Sequence, residues 1–424
     1  MLFCNRNGPY DVIAGDTTKV HGGNSMRSPW GNPIKRWAAI PLVTLISTLL
    51  LAWPTGTQAA NPSIPVAIQQ LTMESAQVGW GVHWYEAHPT SGYTGQLLHT
   101  TDGGHEWSNV TPPRVTFNTP GGWPTLPHNT VTDFMSGSTA WTATERSVSA
   151  AGMGTMLLSV TRNGGMHWQQ WTVHLPNLAD SMIANPIVDQ AEFVNAHDGW
   201  LIFGPDGGAG AGMAPEGMEL WRTTNGGRSW TRIDQVARLV AALITFTSPT
   251  TGWFVENRGV PPLHITLMHT TNGGQMWTRV SVPAAPEIAQ AFRWATGPLA
   301  SFSGSHALIL VANGAKVMQS DDHSQQWSRP RSIPSQNGFS YGVEVLHGRV
   351  IWDEGRSALW RSVNGGRTWT VQSRAGFLSR NQSIDFLNER VGWIWGGPGT
   401  QQAQLWMTTD GGKHWTHWTP ELLS

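Results

Sequence analysis

Thr100-Thr101-Asp102-Gly103-Gly104-His105-Glu106-Trp107 decides the fold, because it is one of seven such stretches. The others are centred on Asn163, Asn225, Asn272, Asp322, Asn364 and Asp410, each five residues before a Trp (Trp168, Trp230, Trp277, Trp327, Trp369, Trp415) and two after a Ser or Thr. The spacings between successive Asp/Asn positions are 61, 62, 47, 50, 42 and 46 residues. Self-similarity at such a period means stacked supersecondary units rather than one irregular core.

Each stretch has the chemistry of a hairpin turn. Asn-Gly and Asp-Gly between apolar runs are the strongest short hairpin signal, because the turn needs positive φ. The Asp/Asn side chain can accept N–H groups of its own turn, so these seven residues are read as structural. The fifth copy carries His323 and Ser324 in place of both glycines. Upstream, Gly79-Trp80, Ala140-Trp141, Gly199-Trp200, Gly252-Trp253 and Gly392-Trp393 each open another strand. Runs such as Val131-Thr132-Asp133-Phe134 and Ile384-Asp385-Phe386-Leu387 precede them. Each unit reads as about four antiparallel strands, the size of a propeller blade. The expected fold is all-β, a single seven-bladed β-propeller over 61–424.

Ser/Thr-x-Asp-x-Gly-x-x-Trp, complete at 100–107 and 408–415 and with Asn for Asp in copies two, three, four and six, resembles the Asp-box or BNR repeat. The resemblance runs from about Pro65 to Trp418. With the preceding Gly-Trp, the chain is most similar to the photosystem II stability/assembly factor-like branch of these propellers, within the sialidase-like superfamily. That branch implies help in building a membrane complex. Sialidases, sortilin-type receptor domains and xyloglucan-degrading glycoside hydrolases also carry the box, so it speaks for fold and is nearly silent on function.

Lys35 and Arg36, the apolar run 38–52 and Thr57-Gln58-Ala59-Ala60 follow the order of a secretory signal, with cleavage expected near Ala59 or Ala60. The run is short for a span of ~20 residues and contains Pro41. Residues 1–60 are therefore read as a signal region, with Met26 a possible true start, and the protein as secreted or at the cell envelope. Membrane contact is expected only through an uncleaved signal. The single cysteine, Cys4, precedes the signal. Residues 1–60 hold five of the 26 basic and two of the 27 acidic side chains, which leaves 21 and 25 in the remainder. With no basic stripe, no nucleic-acid partner is expected. A monomer is expected.

With the first strand of each blade running top to bottom, the boxes lie on the bottom face. The second-to-third-strand loops and the blade connections lie on the top, where binding residues concentrate on a rigid scaffold. The stretches 111–130, 171–187 and 204–217 read as such loops. Binding candidates are Trp84, Trp123, Asp206, Arg329 and Arg331. The expected function is a non-catalytic binding or assembly scaffold for a protein or glycan partner, with no cofactor. Sixteen histidines occur, but none in a His-Glu-x-x-His spacing, and no metal is expected. The alternative is an extracellular glycosidase. A sialidase-like site would use Tyr341 as nucleophile, Glu344 to activate it and Arg293 for the substrate carboxylate. Against it stand the missing Phe/Tyr-Arg-Ile-Pro motif and the seven blades, where sialidases have six. A two-carboxylate glycosidase would use Asp353 or Glu354, although adjacent strand residues point to opposite faces.

Overall fold

The computed structural model describes residues 63–68, 70–88, 92–119, 130–148, 154–175, 186–205, 218–236, 241–258, 264–282, 299–303, 305–311, 316–322, 324, 326–334, 342–355, 358–374, 376, 382–396 and 404–423. Residues 1–60, which the sequence reads as a signal region, lie outside them. The described residues form a seven-bladed β-propeller of antiparallel sheets and contain no helix.

Blade 1 is Gln70–Met73, Gly79–His88, Gly92–Thr100 and Glu106–Asn109. Blade 2 is Thr130–Phe134, Ala140–Val148, Gly154–Thr161 and Gln169–Leu175, and blade 3 is Pro186–Phe193, Gly199–Pro205, Met218–Thr223 and Thr231–Val236. Blade 4 is Ala241–Phe246, Gly252–Arg258, His264–Thr270 and Thr278–Val280, and blade 5 is Leu299–Ser303, His306–Val311, Lys316–Ser320 and Arg331–Ser332. Blade 6 is Gly342–Leu346, Val350–Gly355, Ala358–Ser362 and Thr370–Ser373, and blade 7 is Gln382–Phe386, Gly392–Gly396, Leu405–Thr408 and Thr416–Trp418. First strands of neighbouring blades meet at the hub. The stretches read as loops are partly strand, and residues 204–205 end the strand Gly199–Pro205. Phe117–Thr119 pairs with Tyr93–Gly95, and 171–175 continues the outer strand of blade 2.

The blades are joined by aromatic stacking. The second-strand Trp of one blade lies flat on the first-strand Phe of the next. The pairs are Trp80–Phe134, Trp141–Phe193, Trp200–Phe246, Trp253–Phe302 and Trp352–Phe386, with planes within 12° of parallel. At the closing seam Trp393 shares a cluster with Met73. The core is thus a ring of separate clusters, one to a seam.

Both chain ends close the ring on the outer edge of blade 1. Glu421–Leu422 adds in parallel beside Glu106 and Trp107, and Ile64–Pro65 pairs antiparallel outside it. The amides of Glu421 and Leu423 donate to the carbonyls of His105 and Trp107, and that of Val66 to Pro420. Val66 and Ile68 then lead inward and are buried against blade 7 residues Trp393, Trp395 and Leu405.

Candidate functional site

The box turns and the first-to-second-strand turns share one face, tied by a backbone bond in blades 1 to 4, 6 and 7. Examples are Gly103 N to Gln77 O (2.7 Å), Gly226 N to His197 O (2.8 Å) and Gly411 N to Arg390 O (2.8 Å). In every box the Asp/Asn oxygen accepts the hydroxyl two residues before it and the amide four residues after it. The residue four along bonds the cap side chain in several boxes, and in blade 2 Asn163 meets the His167 ring at 2.9 Å. The amide NH2 of Asn225 donates to Ser229 and that of Asn364 to Thr368, whereas Asp410 takes the His414 ring at 2.6 Å. Burial pushes the Asp410 carboxyl up, but the bonds from His414, Thr408 and Lys413 outweigh it and hold the group far below the usual carboxylate range.

The residues that link second to third strands, and one blade to the next, lie largely outside the described residues. Tyr341, Arg293, Trp123 and Asp206 fall there. The remaining candidates are placed differently from the sequence expectation. Trp84 is not in a loop. The second strand of blade 1 runs ten residues, so Trp80, Val82 and Trp84 alternate onto one face, and Trp84 is 5% exposed with its ring edge-on to Phe117. Arg329 and Arg331 are not at the top. They follow the blade 5 box directly, because its outer strand is only Arg331–Ser332, and the Arg331 guanidinium donates to Gly365 O of the next box at 3.2 Å. Around it Asp321 holds His306 (2.9 Å), Gln319 (2.7 Å) and Arg367 (3.5 Å). Burial and then the Arg367 cation lower the Arg331 pKa, and Asp321 opposes them.

Carboxylates recur at one slot of the first strand, opposite the second-strand Trp. Asp133, Glu192, Glu344 and Asp385 face Trp141, Trp200, Trp352 and Trp393 across the ladder. Three of them reach the next blade. Asp133 accepts the Phe193 amide (2.7 Å), Glu192 the Phe246 amide (3.1 Å) and Asp385 the Met73 amide (2.9 Å). Sequence reading missed this clasp. Its signal is the acid-Phe pair seven residues before a Trp in Asp133-Phe134, Glu192-Phe193 and Asp385-Phe386. Burial raises the Asp133 pKa, the Phe193 amide pulls it back, and the nearby Glu74 charge adds to the rise, leaving it at about 7. Glu344 therefore occupies a repeat position of the frame.

Asp353 and Glu354 are both 0% exposed. Trp352 faces blade 7, so Glu354, two residues on, faces the same way into the seam. In the five other blades with this Trp the slot holds Val82, Ala143, Ile202, Val255 or Trp395. Neither Glu354 oxygen has a hydrogen-bond partner. Burial, with the Asp353 charge adding, pushes its pKa up to about 8. Glu219 is equally buried but satisfied, by the Trp221 ring N–H at 3.0 Å and Arg232 at 3.2 Å.

No known protein family matches the chain, and no curated protein does. Solved structures do. YCF48 from Cyanidioschyzon merolae is 18% identical over 69% of this chain and 86% of that one, with a TM-score of 0.45. A YCF48 bound to D1 peptide is 17% identical over 82% and 95%, with a TM-score of 0.48. The GH74 enzyme of Niastella koreensis is 11% identical over 84% and 62%, with a TM-score of 0.34. At these identities the likeness concerns the β-propeller fold alone.

Proposed function

We propose that the protein is an exported, non-catalytic binding and assembly scaffold whose loops opposite the box face take a protein or glycan partner. The observation that carries this reading is the state of the best carboxylate pair. Asp353 and Glu354 are wholly buried, and Glu354 holds its proton at neutral pH inside an apolar seam. A two-carboxylate glycosidase needs both groups flanking the scissile bond, and neither of these meets solvent. Asp133, Glu192 and Asp385, in the first-strand slot that Glu344 shares, clasp the next blade. A stiff ring with loops at one end suits recognition, since loops on a fixed frame lose less entropy on binding. The box pattern also resembles that of assembly factors of a membrane complex.

The test is a panel of fluorogenic glycosides, sialosides included, run beside a glycan array and crosslinking to envelope proteins. No turnover, with saturable binding that is lost when 206–217 is replaced by a Gly-Ser linker, is the expected result. Turnover abolished by Tyr341→Phe and by Glu344→Gln would overturn the scaffold in favour of a sialidase-like enzyme.

A further inference from the structure

Three box turns carry an apolar residue in a slot that is polar in the other six copies. Met166, three residues after the blade 2 cap, stands where the others have His, Arg, Lys or Gln. Met276, four after the blade 4 cap, replaces Glu, His, Gln, Ser or Thr, and Val363, just before the blade 6 cap, replaces Thr, Arg or Asp. They are 75%, 72% and 50% exposed. A lone exposed apolar side chain is ordinary on a protein surface. These three share one face, at the tips of its turns and on alternate blades, so they stand as a tripod around the ring.

Cations accompany the tips. Arg162 shares the box of Met166 and Arg367 that of Val363. The Arg349 carbonyl accepts the Gly365 amide at 2.9 Å, which sets that turn beside the blade 6 box. Arg228 stands in the blade 3 box, between the feet on blades 2 and 4. All four arginines are exposed. The acids on the same turns are held by their own neighbours. Asp198 meets Arg222 at 3.3 Å, Asp321 meets His306 at 2.9 Å and Gln319 at 2.7 Å, and Asp322 accepts the Ser320 hydroxyl and the Gln326 amide, both at 2.8 Å. Glu74 and Glu106 belong to blade 1, across the ring from blade 4 and outside the tripod.

We propose that the box face docks on an anionic phospholipid bilayer. Met166, Met276 and Val363 enter the headgroup region, and Arg162, Arg228, Arg349 and Arg367 meet lipid phosphates. The chemistry disfavours the alternatives. A soluble polyanion satisfies the arginines but leaves the three tips in water. An apolar pocket on a protein buries a tip but strips water from the arginine beside it. A bilayer interface serves both, because its acyl boundary takes apolar side chains while the phosphates attract the cations. It is also flat, as a tripod spread from blade 2 to blade 6 requires. The docked face is opposite the loops proposed above, which are left pointing away from the membrane, so either proposal can fail alone.

The full chain is titrated with vesicles of phosphatidylcholine, with and without phosphatidylglycerol, and binding is read by co-sedimentation. The anionic vesicles should bind roughly tenfold more tightly or better. Affinity for them should fall roughly fivefold in Arg349→Gln, the share of one cation near an anionic surface, and by at least as much in Met276→Ser. It should be lost when Met166→Ser, Met276→Ser and Val363→Ser are combined, and be unchanged in Arg374→Gln, at the far end of the blade 6 outer strand. A polarity-sensitive dye on Met276→Cys, in a Cys4→Ser background, should shift to the blue on anionic vesicles, and the same dye on Arg374→Cys should not. Thermal midpoints equal to the parent's establish that the variants are folded. Equal affinity for both kinds of vesicle, or a combined variant that binds as the parent does, would overturn the proposal. So would a dye at Met276→Cys that stays in water while the chain binds, which is the result expected if the apolar run 38–52 alone holds the lipid.

Discussion

The fifth box shows what a single residue contributes to the turn. Box glycines take φ between +65° and +98°, and Ser324, at the second glycine position of that box, takes +64°. A side chain there crowds its own backbone, a strain of roughly 1–2 kcal/mol outside glycine, and the Ser324 hydroxyl is buried with no partner. Ser324→Gly should therefore raise stability by about 1 kcal/mol in a urea titration, and an unchanged midpoint would show that the turn has relaxed around serine. The converse change, Gly412→Ala, puts a Cβ 2.5 Å from Leu359 Cδ2 at φ +96° and should cost more than Ser324→Gly gains. The boxes were legible in the sequence because their chemistry is local: the seven residues from the hydroxyl to the capped amide make the turn and cap it. Trp84 was not, because its burial depends on how far a strand runs before its loop begins, and no local residue marks that point.

At the scale of the strand, the seam is the unit of stability. Five of these Trp rings stack on the first-strand Phe of the next blade, while Asp133, Glu192 and Asp385, beside that Phe position, clasp the following blade. Trp352→Ala should cost about 3–5 kcal/mol, the usual range for emptying a buried Trp site. A double-mutant cycle with Phe386→Leu should return a coupling of about 0.5–1.5 kcal/mol for the parallel rings, 3.9 Å apart. Additive losses would mean that the rings fill space without specific attraction. Blade number and strand number followed from the repeat. The acid clasps did not, because a carboxylate before Phe reads as an outward strand residue until the neighbouring blade is in place. Arg329 and Arg331 were misplaced for a similar reason: the length of an outer strand is set by its pairing partner, and Thr278–Val280 and Arg331–Ser332 are both cut short.

For the whole molecule, closure and pH are the two levers. Removing 419–424 deletes the strand between the two ends and three backbone bonds across the closure, each worth about 1 kcal/mol. Stability should fall by about 3 kcal/mol, and the amides of Trp107 and Asn109 should lose exchange protection while those of blade 4 keep theirs. Protection lost evenly around the ring would mean that the propeller opens only as one unit. The pH response follows from Glu354. Its carboxyl holds a proton to about pH 8 in the folded protein, but only to about pH 4.3 in the unfolded chain. Between those values the folded state binds the extra proton, so stability falls as pH rises, at up to ~1.4 kcal/mol per pH unit. Above pH 8 both states are ionised and the slope ends. Asp133 adds a parallel fall that ends near pH 7. Glu354→Gln keeps the volume and removes the titration. The variant should therefore gain on the parent by a few kcal/mol between pH 5 and pH 8, whatever fixed cost its unbonded amide adds at every pH. Urea unfolding at one-unit steps reads this directly. A difference that stays flat from pH 5 to pH 9 would show that water or a rotated neighbour solvates Glu354 and that its carboxyl titrates like an exposed one.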